Sequence, residues 1–552
     1  MEYVDVVVLG TGLTESITAA ALSKAGFKVA HIDVNPYYGA NEASLSVDEL
    51  VQWAAERTSD DPGSAYLQSQ KATFPHISTS PTTLSQSRQY AISLAPSIIP
   101  SVGPLISSLI SSGVARYGGY RLLERVGIYE SGIVKDVPSG KEDIFKNKDI
   151  SLIDKRRLMR FLAFAAGEFE DSKELADKAD VPFVEFLKGT FSLKESLASV
   201  IAYALAFCVV HSEPTLPALC RIRNYLRASG RYGPSPFLIG HYGGAGEIAQ
   251  GFCRVAAVAG AIYILGKRVT SVRALAPPSS LDTSPSETPS MTYKYTVELE
   301  DIPDKLACNV VISSADLLPP ELRSSATTTT EVSMNPVNDA KVVLRCIAII
   351  DTPIYFPAPA EASRDQSGGG DSLPTGDNLR SKIDTAIIVF PPSSLPGGST
   401  ESSVHVMITG EGSMSTPNGK WIVYISIPCL AETSGVPEHL LQPYLDAVLL
   451  LRDSATLASQ SSPLFTVFYS QVLLAADLSH PKCDIADPGV ITSSPAHPFL
   501  VELSDSSAAQ AEPLFWKAIH ALKLCDHPQA GSVEKFWPLK MQQGDEDQEG
   551  DW

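Results

Sequence analysis

The residues whose types and spacing best suit chemistry open the chain: Val6-Val7-Val8-Leu9-Gly10-Thr11-Gly12-Leu13-Thr14-Glu15. A G-x-G-x-x-G turn between a strand and a helix offers backbone N–H groups and the positive end of a helix dipole to a pyrophosphate. Here the third glycine position holds the carboxylate of Glu15. Asp33 follows about 20 residues further on, where a ribose-binding acid belongs. Gly10, Gly12, Glu15 and Asp33 therefore read as a vestigial dinucleotide turn, with no cofactor expected. No Ser-His-Asp or Cys-His spacing stands out, and the ten histidines fall singly, so no catalytic residue is assigned. The eight cysteines form no C-x-x-C pair and no metal-ligand spacing. They read as reduced core residues, and no metal is expected.

The turn needs a strand before it and a helix after it. Asp5 to Leu9 reads as a buried strand, Leu13 to Ala25 as a helix closed by Gly26, and Val29 to Ile32 as a second strand ending at Asp33. From Asn147 to Gly230 the apolar period becomes helical. Ser151 and Asp154 cap a helix carrying Leu158, Phe161, Leu162 and Ala165, which ends near Gly167. Ser192 and Glu195 form a capping box for a longer helix with Leu197, Val200, Ile201, Ala204, Leu205 and Cys208 at helical spacing. Its apolar stretch, Ser196 to Val210, is shorter than the roughly 20 residues a membrane span requires, so it reads as a buried helix.

After Gly230 the α/β pattern returns, with a helix at Glu247 to Val258. Strands are predicted at Ala261 to Leu265, Tyr293 to Leu299, Val310 to Ser313, Lys341 to Ile350, Thr385 to Phe390, His405 to Thr409, Lys420 to Ile427 and Leu464 to Tyr469. The stretches 276–291, 356–378 and 391–403, rich in Pro, Ser and Gly, read as disordered loops, and 544–552 as an acidic tail. A chain of 552 residues with 44% hydrophobic content buries a large core in two or more domains. Its opening is strand-like rather than a signal or transit peptide. The net charge of −19 argues against nucleic-acid binding and suits either a basic protein partner or simply the solubility of a large protein.

Two blocks carry a family resemblance. Leu9-Gly10-Thr11-Gly12-Leu13-Thr14-Glu15, followed by Asp33-Val34-Asn35-Pro36-Tyr37-Tyr38-Gly39, resembles the opening of the Rab escort protein and Rab GDP-dissociation inhibitor family. The second block is Arg231-Tyr232-Gly233, then Tyr242-Gly243, then Gly246-Glu247-Ile248-Ala249-Gln250-Gly251-Phe252-Cys253-Arg254. The likeness runs to about residue 315 and is faint beyond, although Glu512-Pro513-Leu514-Phe515 resembles the family's last helix. Departures are Gly39-Ala40 where Gly-Gly is frequent, an extra residue within Ile239 to Ala245, and Ala249 in place of proline.

The resemblance implies a Rossmann-like, flavoprotein-like α/β domain of GDP-dissociation-inhibitor fold, residues 1–140 and 229–530, with an inserted small all-α domain, 141–228. It further implies a Rab-binding platform of Tyr38, Arg231, Glu247, Gln250 and Arg254. Glu247, Gln250 and Arg254 recur at helical spacing and share a face. Prenyl-pocket candidates in the helical block are Phe161, Leu162, Ile201 and Leu205. Members of the escort branch resemble one another in an Asp-x-Phe segment ahead of an arginine that docks the prenyl transferase. In that pattern the phenylalanine stands eleven residues before the arginine, as Phe145 of Asp143-Ile144-Phe145 stands before Arg156 here, so Phe145 and Arg156 are the docking candidates.

The expected role is therefore a non-catalytic, cytoplasmic escort that binds GDP-state Rab GTPases. It would present them to the catalytic heterodimer of Rab geranylgeranyltransferase, shelter the geranylgeranyl lipid and touch membranes transiently. The alternatives are a recycling Rab GDP-dissociation inhibitor and, from Gly10, Gly12 and Asp33 alone, an FAD-dependent oxidoreductase.

Overall fold

The computed structural model describes residues 1–81, 84–138, 150–275, 293–314, 316–318, 322, 326–328, 342–357, 380–430, 435–452, 462–473, 487–495 and 497–538. A six-stranded parallel sheet organises the first layer, in the order Ile262–Leu265, Val29–Asp33, Val6–Leu9, Val310–Ser314, Asp487–Ser493, Ala326–Thr328. Val6 stands beside Val29 on one side and Val310 on the other. A strand covered on both faces needs an unbroken apolar run, which Val6 to Leu9 supplies. The Leu13–Lys24 helix follows, with 11 of its 12 residues buried. It packs against the Ala245–Val258 and Leu503–Lys523 helices. Ala19, Ala20 and Ala21 let neighbours approach closely, while the Thr18 and Ser23 hydroxyls donate to carbonyls one turn earlier. Those local bonds are how a helix rich in Thr and Ser tolerates full burial.

The second layer is an eight-stranded sheet, in the order Ile133–Asp136, Arg125–Glu130, Thr385–Phe390, Val404–Thr409, Trp421–Cys429, Val342–Ile350, Phe465–Val472, Ser78–Thr79. Alternation along Val342–Ile350 sends Leu344, Cys346 and Ala348 to one face and Ile347 and Ile349 to the other. The first face is covered by Leu441, Tyr444, Leu445 and Val448 of the Pro437–Leu449 helix. The second carries the helical block, whose Leu158, Phe161, Phe183, Phe186 and Ile201 share a core with Ile387, Val389 and Tyr424.

Within that block the Leu152–Ala166 helix starts where its capping residues predict, with the Asp154 N–H donating to Ser151 Oγ at 3.2 Å. The next predicted start is corrected. Ser192, at φ 54°, closes the Phe183–Phe191 helix, and the following helix begins at Glu195 with Lys194 as its cap. Nor is that helix regular to Cys208. It spans Glu195–Ser199 and then widens into a π-helical turn at Val200–Leu205, where the Ala206 N–H donates to the Ile201 carbonyl. The stretch 391–403, expected to be disordered, forms hydrogen-bonded turns: the Ser399 N–H donates to Tyr444 Oη at 2.7 Å and Ser403 Oγ to the Cys208 carbonyl at 2.9 Å. Ser399 and Ser403 thus find partners on neighbouring elements. Phe356 and Pro357 belong to the Ile354–Pro357 strand, while 276–291, 358–378 and 544–552 lie outside the described residues.

Candidate functional site

The dinucleotide turn is built as the sequence predicts: Gly10 adopts φ 95°, and Gly12 caps the helix that starts at Leu13. What fills it is protein. The Asp33 carboxylate is fully engaged, accepting at one oxygen from the Thr11 N–H (2.7 Å) and hydroxyl (2.6 Å), and at the other from the Asn35 N–H (2.8 Å) and amide (3.0 Å). Glu15 is buried and accepts from the Ser493 hydroxyl. A second carboxylate, Glu42, accepts the Leu13 N–H at 3.1 Å.

A Cβ added to Gly12 would meet Glu15 Oε2 at 2.6 Å and Glu42 Oε2 at 3.0 Å. Burial raises both groups, Glu15 to about 7 and Glu42 to about 8, the latter helped by the neighbouring Glu15. Two facing carboxyl groups and a self-satisfied aspartate do not fit a pyrophosphate and ribose, which need free amides and a free acid. The residue that takes the helix-start amide is Glu42, a role the sequence does not reveal, because only folding brings the two segments together.

Beside this turn lies a groove of about 320 Å³ lined by Tyr38, Glu247, Gln250, Arg254, Tyr117, Tyr120, His241 and Tyr263, among others. The Ala245–Val258 helix turns Ile248, Ala249, Phe252 and Ala256 inward and leaves Gln250 and Arg254 exposed. Burial raises the half-buried Glu247 carboxyl. The Arg254 guanidinium lies over the Tyr117 ring, 4.7 Å from its centre. Burial also raises the Tyr38 phenol, and its ring packs edge-on to Tyr263 at 6.0 Å. Exposed charge, amide and aromatic groups around one concavity suit recognition of a polar protein surface.

The structure brings together four of the five predicted platform residues. Arg231 is not among the groove-lining residues: it is exposed in the turn after the Thr215–Ala228 helix, over the Tyr232 ring at 5.3 Å. The aromatic residues on either side of Gly118-Gly119 are the sequence signal for the missed wall of the groove. Phe145 lies outside the described residues, whereas Arg156 is exposed on the first turns of the Leu152–Ala166 helix, near the exposed Leu152 and Ile153. Phe161 and Ile201 are buried in one packed core, and Leu162 and Leu205 are half-buried against it. Phe161 sits 5.3 Å from the Phe191 ring. Among the described residues, no group of His, Cys, Asp or Glu side chains forms a metal site, and no helix is long and apolar enough to cross a membrane.

Residues 1–275 match the family model described as GDP dissociation inhibitor. Among curated proteins, the chain is 29% identical over 463 residues to the Rab proteins geranylgeranyltransferase component A of Saccharomyces cerevisiae, covering 84% of this chain and 66% of that protein. It is 30% identical over 428 residues to the protein of the same name from Candida albicans, covering 77% and 59%. The chain thus spans less than two-thirds of the length of these relatives. Among solved structures it resembles Rab GDI from Plasmodium falciparum, with a TM-score of 0.58 at 19% identity, covering 94% of this chain and 98% of that one. An oxidoreductase from Methanosarcina mazei shares the fold at a TM-score of 0.51 and 13% identity, covering 93% and 100%. The two sequence blocks, the parallel sheet that carries them and these matches together show that the chain belongs to the GDP dissociation inhibitor family.

Proposed function

We propose that this chain is a Rab escort protein: it binds Rab GTPases in the GDP state, presents them to the geranylgeranyltransferase heterodimer and carries the prenylated product towards membranes. The observation that carries the reading is the convergence of Tyr38, Glu247, Gln250 and Arg254 on one groove. Arg254 offers a planar cation for a carboxylate or carbonyl, Glu247 an acceptor, and Gln250 both a donor and an acceptor. The names of the yeast relatives favour the escort branch.

A geranylgeranyl chain left in water costs on the order of 10 kcal/mol, at about 0.8 kcal/mol per CH₂-sized group, so a carrier must cover it. The helical block supplies the apolar wall, with Phe161, Leu162, Ile201 and Leu205 as candidate lining residues. Phe145 and Arg156 would dock the transferase, and this chain itself would make and break no covalent bond. Its dinucleotide turn holds no cofactor in this reading, which the Glu15 and Glu42 carboxyl groups support and which sets the oxidoreductase alternative aside.

Reconstitution tests the proposal. Unprenylated Rab, transferase and geranylgeranyl diphosphate should yield prenylated Rab only when this chain is added. Arg254→Ala should weaken Rab binding by about 2 kcal/mol or more, as loss of an interface anchor does, measured by titration with GDP-loaded Rab. Phe145→Ala should weaken the transferase complex and spare Rab affinity. Prenylation that proceeds equally without the chain would overturn the escort role, and an unchanged transferase complex would favour the recycling inhibitor.

A further inference from the structure

The segment bearing Tyr38 is pinned at several points to the dinucleotide turn. The Gly39 N–H donates to both the Thr11 carbonyl (3.1 Å) and the Thr11 hydroxyl (3.0 Å). Three residues on, the buried Glu42 reaches back to accept the Leu13 N–H. Between them the backbone turns at Gly39, φ 99°, with the Ala43 Cα only 2.8 Å from where a Cβ would stand. On its outer side this loop lies against Gly246, whose added Cβ would meet the Ser44 nitrogen at 2.5 Å and the Glu42 carbonyl oxygen at 2.9 Å. Gly246 opens the helix that carries Glu247, Gln250 and Arg254.

A second line of contacts runs from the same turn to the Tyr38 ring. The His31 Nε2–H donates to the Gly10 carbonyl at 2.6 Å, leaving Nδ1 to accept from the Tyr263 hydroxyl at 3.2 Å. The Tyr263 ring in turn packs on Tyr38. Burial lowers His31 to about 4, so it is neutral and this tautomer persists at physiological pH.

We infer that Glu42 is a positioning residue for the platform: its carboxyl group takes the helix-start seat that a phosphate takes in a dinucleotide-binding turn, and so fixes the Tyr38 loop against the helix bearing Arg254. The seat is physically suited to the task. Orphan N–H groups at a helix start bind an anionic or strongly accepting oxygen, and a side chain of the chain itself supplies one here. A cofactor site is thereby reused as the anchor of a protein-recognition loop. The inference rests on the reading of the groove as the Rab platform.

The test compares the whole chain with Tyr38→Ala, Glu42→Gln and Glu42→Leu, measuring the Kd for GDP-loaded Rab, thermal stability, and hydrogen exchange at the Leu13 and Gly39 amides. Gln keeps an oxygen acceptor for the Leu13 N–H, whereas Leu keeps the bulk and removes both the acceptor and the repulsion with Glu15. Tyr38→Ala and Glu42→Leu should each weaken binding tenfold or more, with Glu42→Gln within threefold of the parent. Exchange at the two amides should quicken at least tenfold in Glu42→Leu alone, while its melting temperature stays near that of the parent. Unchanged affinity and exchange in Glu42→Leu would overturn the positioning role, as would equal losses in Glu42→Gln and Glu42→Leu. If Glu42→Leu does not fold, Glu42→Gln decides: slowed or unchanged exchange upholds the anchor, and quickened exchange overturns it. If Tyr38→Ala binds as tightly as the parent, the platform reading fails instead, and the exchange data still judge the anchor.

Discussion

Glu15 and Glu42 face each other across the Gly12 backbone, in a region that also feels the charges of Asp33 and Asp316. Both carboxyl groups hold their proton in the folded state more tightly than the ordinary 4.5, near 7 and 8 respectively, because burial penalises the charged form. The unfolded chain releases those protons about three units lower, so folding is favoured where the groups are protonated. Their contribution is fully present below pH about 4.5 and is lost as pH rises through about 7 to 8. Denaturant unfolding at pH 6 and pH 9 should therefore show the protein less stable at the higher pH, and Glu42→Gln should reduce that difference. An identical pH dependence in the variant would contradict the shared burial of the pair. The motif made Glu15 conspicuous in the sequence; Glu42 was not, because nothing in the spacing of the two segments says that one side chain reaches the other's amide.

Among the elements, the helical block shows how tertiary bonds reshape a regular pattern. The apolar spacing of Leu197 to Cys208 predicts one long helix, yet the segment widens at Val200–Leu205 and ends with Phe207 at φ 52°. Its terminal groups are satisfied from elsewhere: Arg221 Nε donates to the Ala206 carbonyl at 2.8 Å, Ser403 Oγ to the Cys208 carbonyl, and the Val209 N–H to Glu213 Oε2 at 2.8 Å. Arg221, itself buried on the Thr215–Ala228 helix, also pairs with Glu213 and, at 3.3 Å, with Glu502 beside the start of the Leu503–Lys523 helix. Burial alone would raise Glu502, but His497 and Arg221 overcome it and pull the carboxyl to about 2. Breaking such a buried pair leaves a charge without its partner, at a cost of about 3–5 kcal/mol. Arg221→Ala should lose that much stability in denaturant titration, whereas Arg221→Met combined with Glu213→Met should recover most of it. A loss under about 1 kcal/mol would mean that water takes over the pairing.

For the molecule as a whole, the net charge of −19 is the long-range property a partner meets first. Association with a partner segment of basic character should slow as salt rises from about 0.05 to 0.5 M, since screening shortens the reach of the field. The dissociation rate should change far less, because short-range contacts set it. A salt-independent association rate would remove charge steering from the account.

What the sequence by itself determined was local: the apolar run Val6 to Leu9 with its glycine turn, the Ser151 cap, the largely apolar strands Val342–Ile350 and Thr385–Phe390, and the shared face of Glu247, Gln250 and Arg254. Each follows from backbone preference and side-chain period, which act within a turn or two. Only the tertiary structure decided that Glu42 occupies the phosphate seat, that Tyr117 supports Arg254, that Arg231 stands apart from the groove, and that the helix before Cys208 widens. Those depend on contacts between residues far apart in the chain, where burial and the need to satisfy every polar group override local preference.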